Sequence, residues 1–185
     1  ESVLEVGVGT GYSLKEIASS VGENGKAYGL DITPKMLEIT EERLKKAGLI
    51  HRVELHEGDA RSMPYEDSKF EAVYMISTLE LFDSSDIPLV LRETERVLKP
   101  GGRLCVASLN KEGWEDSLFI RFYEWLHQRI PKYANCRPIY VEKSVKDAGY
   151  HILRTEEFTL LKIVPWKIIV ANPQGKIESR LQENA

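Results

Sequence analysis

Three glycines, Gly7, Gly9 and Gly11, stand in "VLEVGVGTGYSLKEIA" between an apolar run and a stretch whose apolar residues recur at helical spacing. Glycine there removes side-chain bulk and permits positive φ, so another molecule can approach the backbone closely. The amides that open the following helix face the same visitor. A tight strand-to-helix turn needs the same glycines, and this stretch alone leaves both readings open. A dinucleotide fingerprint would place its third glycine at position 12, which holds Tyr12. Two acids add to the pattern. Asp31 closes the next apolar run, where a carboxylate can accept hydrogen bonds from both hydroxyls of a ribose. Asp59, in "HEGDARSMP", closes the third run and can receive an adenine amino group, with the Ala60 amide beside it. Ile32 and Met36 can sandwich a purine between apolar atoms. Each acid alone reads equally as the cap of its own turn. Loop and acids together, in chain order, point to an adenosine-type ligand.

The elements that must position these residues alternate. Strand-like runs fall at Val3–Val6, Ala27–Ile32, Arg52–Leu55, Ala72–Ser77 and Arg103–Leu109, with helical patterns at Ser13–Val21, Pro34–Ala47 and Ile87–Leu98. Thr33-Pro34 is a helix start and Gly48 a left-handed stop. This alternation requires a parallel sheet with helices on both faces, whose ligands bind outside the carboxyl ends of the strands. After Leu109 the rhythm changes to an aromatic-rich segment, then a helix in "YVEKSVKDAGY". Two strands follow, His151–Leu161 and Trp166–Ala171, too close for a crossover helix and so antiparallel neighbours. The polar tail from Asn172 reads as a frayed end or short helix.

At 185 residues the chain is read as one domain, 1–185, with an aromatic-rich cap insertion at about 110–139. A net charge of −4 gives no support to nonspecific nucleic-acid binding. Cys105 and Cys136 lack metal-site spacing and read as thiols in a reducing compartment. Neither a signal peptide nor a membrane-spanning tract is visible, which points to the cytoplasm. The chain opens almost inside its first strand, so either an upstream segment is absent from this sequence or the domain is minimal there.

"VLEVGVGTG", "YGLDITPKML", "EGDARSMPYEDSKFEAVYM" and "ETERVLKPGGRLCVA" resemble the successive motifs of class I S-adenosylmethionine-dependent methyltransferases, from about Val3 to Ala171. The resemblance implies a doubly wound, Rossmann-like α/β sheet of seven strands, mostly parallel with the last strand antiparallel. It implies S-adenosyl-L-methionine as cofactor, with Glu5, Gly7, Gly9, Thr10 and Gly11 in the loop motif. Asp31 then matches the ribose acid, and Asp59 with Ala60 the adenine site. Two positions depart from the pattern. Phe70-Glu71 stands for the usual Phe-Asp, and Leu79–Leu81 lacks a histidine that some members place near the acceptor.

The methyl of such a cofactor is already activated, so the protein's task is to align a nucleophile in a water-poor pocket. A base is needed only for a nucleophile that arrives protonated. Glu80, just past the fourth strand, and His127, in the aromatic segment, are the candidates. In "GWEDSLFIRFYEWLHQRIPKY", Trp114, Leu118, Phe122 and Trp125 recur three or four apart, with Phe119, Leu126 and Ile130 beside them. Such a face either packs over the sheet or roofs an acceptor pocket. Arg121, Arg129, Lys132 and Arg137 suit an anionic or membrane-surface acceptor, although Glu115, Asp116 and Glu124 offset them. The stretch "RPIYVEKSVKDAGYHILRTEEF" resembles small-molecule, lipid and quinone-biosynthesis methyltransferases. The expected acceptor is therefore small or lipid-like. A nucleic-acid or protein methyltransferase, or a non-catalytic cofactor-binding subunit, is the alternative.

Overall fold

The structure, a computed structural model, describes residues 1–130 and 136–174. Lys132 and the tail beyond Gln174 lie outside the described residues. Seven strands form one sheet: β1 (Ser2–Val6), β2 (Lys26–Asp31), β3 (Val53–Glu57), β4 (Phe70–Ile76), β5 (Leu98–Leu109), β6 (Tyr150–Leu160) and β7 (Val164–Pro173). Their order is β3-β2-β1-β4-β5-β7-β6. The first five pair in parallel, and β7 inserts antiparallel between β5 and β6. This is the doubly wound sheet the alternation predicts. The order reverses at β1, flanked by β2 on one side and β4 on the other.

Helices α1 (Tyr12–Ser20), α2 (Pro34–Lys46), α3 (Ile87–Val97), α4 (Leu118–Arg129) and α5 (Val141–Asp147) surround the sheet. Side chains of β1 alternate between its faces. Leu4 and Val6 enter a large core with Val90 and Leu91 of α3 and Val141 and Val145 of α5. A smaller core holds Leu14 and Ala18 of α1 with Leu44 of α2. Pro34 takes the first turn of α2 after Thr33, as the sequence requires, and Gly48 follows the helix at φ +70°. Most boundaries shift by one or two residues from expectation, and two shifts have a clear cause. A 3-10 turn, Ile50–Arg52, takes up Arg52, so β3 starts one residue later. Strand β5 starts at Leu98 rather than Arg103: Pro100 disfavours a helical Lys99, and Leu98 pairs with Phe70 before a register shift.

The aromatic segment does contain a helix, α4, capped by Ser117, whose Oγ accepts from the Ile120 amide at 3.2 Å. Its orientation corrects the expected stripe. Phe122 and Trp125 stack on each other at 6.0 Å, 58% and 51% exposed, and Leu118 is 84% exposed. Ile120 is the fully buried residue of this helix. The stretch leading to α4 is tied to the sheet through Lys167 of β7. Its buried Nζ lies 2.7 Å from Glu112 Oε2, 2.8 Å from Glu157 Oε1 and 3.2 Å from Glu142 Oε2.

Candidate active site

A cleft of about 560 Å³ opens at the carboxyl ends of β1, β2 and β4, where the strand order reverses. Gly7, Gly9, Asp31, Ile32, Met36, Asp59 and Ala60 all line it. Thr10 and Gly11 do not. Gly11 caps α1 in the left-handed region, and the Thr10 carbonyl turns outward to accept from Arg43 Nε at 2.7 Å. Glu5 lies beneath the loop. Ser13, Thr33, Gly58, Ser77, Thr78, Leu81 and Phe82 also line it, with Val6, Val8, Leu30 and Ile76.

The loop is held from several directions. Gly7 donates its amide to the Leu30 carbonyl at 2.7 Å, and Gly9 donates to Asp31 Oδ2 at 2.9 Å. Thr40 Oγ1 of α2 donates to the Gly9 carbonyl at 3.0 Å. The three glycines are not equivalent. A Cβ on Gly7 would meet Thr78 Oγ1 at 2.5 Å, and one on Gly11 would meet Thr40 Oγ1 at 2.7 Å, whereas one on Gly9 would meet nothing within 4 Å. Gly7 and Gly11 thus make room for the protein's own threonines, and Gly9 alone faces open space.

The two acids differ likewise. Asp31 accepts one backbone amide on each oxygen, from Gly9 and, at 2.9 Å, from Thr33. Each oxygen keeps a lone pair for the cleft. Asp59 is committed to Arg61, whose Nη2 lies 2.6 Å from Oδ2 and whose Nη1 reaches Asp86 at 2.7 Å. Those bonds hold its carboxyl below the usual range. Ile32 is 64% exposed at the rim, an apolar surface that a purine would cover. Glu5 donates nothing and accepts from Ser13 Oγ, while its Oε2 is buried without a partner. Burial, with a smaller push from Asp31, raises its carboxyl to about 7 against the bond from Ser13.

A second cleft, of about 350 Å³, adjoins the first and shares Ser77 and Leu81 with it. Its walls are Leu109, Phe119, Tyr123, Cys136, Val164 and Trp166, with Glu80 as its carboxylate. Ser77 holds φ +54° at the junction, an uncommon conformation for a non-glycine residue and one that concentrates at functional sites. Glu80 Oε2 accepts from Ser108 Oγ at 2.6 Å, and burial pushes its carboxyl up. Tyr123 Oη lies 2.7 Å from Cys136 Sγ. His127 is half-buried on α4 and lines neither cleft. The sequence pointed to Phe119 only as a flanking residue and to Trp166 only as the start of a strand. The signal for Trp166 was alternation: it is half-exposed between buried Pro165 and Lys167.

An open sheet with an antiparallel seventh strand, a glycine loop after β1 and an acid closing β2 define a class I S-adenosylmethionine-dependent methyltransferase. The residues fit that cofactor: Gly9 leaves the loop open, and Asp31 offers free lone pairs to the cleft. The chain belongs to the methyltransferase domain family, which matches residues 3–102. It is 31% identical over 173 residues to a demethylmenaquinone methyltransferase of Listeria welshimeri, covering 83% of this chain and 71% of that one. A demethylmenaquinone methyltransferase of Listeria monocytogenes is 33% identical over 160 residues, and these cover 85% of this chain and 63% of that one. The structure of an S-adenosylmethionine-dependent methyltransferase from Methanosarcina mazei shares the fold, with a TM-score of 0.74, 22% identity and coverage of 93% and 92%.

Proposed function

We propose that this chain is a single methyltransferase domain that methylates a quinone-like aromatic acceptor seated in the second cleft. The observation that carries this reading is the shared Ser77–Leu81 wall, which sets an apolar, aromatic-lined cavity beside the cofactor cleft. The names of the two Listeria relatives support the acceptor class. The bound cofactor supplies a sulfonium methyl, whose carbon–sulfur bond breaks toward sulfur as the acceptor's nucleophilic atom takes the methyl.

In this reading Asp31 accepts the ribose hydroxyls, while Asp59 and the Ala60 amide meet the adenine edge, which Ile32 and Met36 cover. Glu5 acts indirectly, holding Ser13 in the cleft wall. Phe119, Tyr123 and Trp166 hold the acceptor ring and exclude water. Glu80, made more basic by burial, takes the proton that the acceptor loses. His127 has no part in proton transfer. Among the described residues no helix is long and apolar enough to cross a membrane, and we place the domain in the cytoplasm.

The test is transfer of labelled methyl from S-adenosylmethionine to a short-chain demethylmenaquinol. Activity that falls at least about a hundredfold in Glu80→Gln, with unchanged S-adenosylhomocysteine affinity, supports the assignment. Transfer to RNA, DNA or protein but to no quinol overturns it. Cofactor binding without transfer to any acceptor would make the chain a cofactor-binding subunit.

A further inference from the structure

The two elements that wall the second cleft on its outer side also carry apolar side chains that face water. Helix α4 turns Phe119 and Tyr123 into the cleft and leaves Leu118, Phe122 and Trp125 outside. The β6–β7 hairpin does the same, turning Val164 and Trp166 inward while Leu160, Leu161 and Ile163 stand exposed at its tip. Because β7 runs antiparallel to β5, with Leu109 opposite Trp166, this tip lies at the carboxyl edge of the sheet beside the cleft mouth.

The tip is built against local preference. The Ile163 amide donates to the Leu160 carbonyl at 3.1 Å, closing a four-residue turn. Its central residues, Leu161 and Lys162, hold φ +51° and +63°. That pattern favours Asn-Gly, and a leucine there is strained as well as being 87% exposed. A hairpin selected only to close a sheet in water has no use for such a residue. The charges nearby fix the kind of partner. Lys162 is the one charged residue between Phe158 and Trp166, and it is a cation. Arg121 and Arg129 lie on α4, the latter 6.0 Å from the Trp125 ring. Glu124 of the same helix is paired with Lys111, while Glu115 and Asp116 precede the helix.

We propose that the hairpin tip and the outer face of α4 form a docking surface for an anionic phospholipid bilayer. Leu161, Ile163, Leu118, Phe122 and Trp125 enter the acyl boundary, and Lys162, Arg121 and Arg129 meet the headgroup phosphates. A second copy of this chain is the weaker occupant. The exposed strand β6 carries Arg154, Glu156 and Glu157, charges that oppose pairing with another strand. In purpose this deepens the quinone-like reading, since an acceptor dissolved in the bilayer would enter the cleft without crossing water. As a binding claim it stands without any acceptor.

The experiment is co-sedimentation of the protein with phosphatidylcholine vesicles and with mixed phosphatidylcholine–phosphatidylglycerol vesicles, with no acceptor present. Wild type binds the mixed vesicles more tightly, and added salt weakens that binding. The double variant Leu161→Asn, Lys162→Gly suits the turn, so it melts no lower than wild type and keeps its S-adenosylhomocysteine affinity. Its vesicle binding falls at least about tenfold. Phe122→Ser, on the other element, gives a second loss of similar size. Wild type that ignores both vesicles, or variants that bind as wild type does, overturns the proposal. So does a wild-type dimer that the variants dissolve without change in vesicle binding, since a second copy would then cover this face. Failure of the quinol assay with vesicle binding intact removes the acceptor and leaves the docking surface standing.

Discussion

Gly9 and Asp31 are joined directly: the glycine amide donates to the carboxylate Oδ2 at 2.9 Å across the floor of the cleft. The acid therefore shapes the loop as well as offering lone pairs to a ribose. Replacing it removes both effects. Asp31→Ala is expected to weaken S-adenosylhomocysteine binding by about ten- to a hundredfold, from the loss of about 1.5–3 kcal/mol of charged hydrogen bonding. Asp59→Ala should cost less, because Asp59 is already engaged by Arg61 and the Ala60 amide survives. Titration calorimetry of the two variants decides; an equal or reversed order refutes the division of roles.

The glycines separate packing from binding. Gly7→Ala and Gly11→Ala each place a Cβ within 2.7 Å of a threonine oxygen at positive φ, and both should lower the melting temperature markedly. Gly9→Ala carries the strain of positive φ alone, about 1–2 kcal/mol. It should lose cofactor affinity while remaining the most stable of the three. Thermal melts with and without S-adenosylhomocysteine test this ordering.

Much of this site could be read in the chain. Glycine spacing and the acids at strand ends identified seven of the cleft's residues, because loops after parallel strands must converge at the switch in strand order. Thr78 and Thr40 were not legible, since the steric demand they place on Gly7 and Gly11 exists only after β4 and α2 have packed. Helical spacing found α4 but not its orientation. Its apolar residues surround too much of the helix for periodicity to choose between Phe119 and Phe122. Residues 98–102 read as a helix end and turn, and became strand through pairing with Phe70, which is remote in sequence.

Glu5 gives the domain a pH signature. Its folded carboxyl sits at about 7, against about 4.3 for a free glutamate, so between these values the folded state holds the extra proton. The stabilising contribution is present below pH 4.3, declines as pH rises, and is lost above 7. The loss is on the order of 3 kcal/mol. Glu5→Gln should flatten this decline, so its advantage over wild type grows from pH 5 to pH 8. Urea titrations across that range would show it; parallel curves would mean that Glu5 is ionised throughout.

Inward and outward residues of α4 should behave oppositely. Phe119→Ala and Tyr123→Ala widen the second cleft, and if the proposed acceptor sits there, turnover of a short-chain quinol should fall at least about tenfold with cofactor affinity retained. Trp125→Ala should change stability by no more than about 0.5 kcal/mol, as exposed positions do. Paired melts and rates check this, and a Trp125 variant that unfolds early would show that α4 is packed on its other side.

The strand order also sets a timetable. Val3 of β1 pairs with Ala27 on one side and with Ala72 on the other. As the chain leaves the ribosome, β1 can join β2 and β3 through short crossovers, but its far edge waits for β4. During that interval the nascent half-sheet leaves the β4-facing edge of β1 open to any neighbouring strand. Pulse-labelled hydrogen exchange during refolding should find amides of β1 to β3 protected before those of β5 to β7; simultaneous protection would show that both halves assemble in one step.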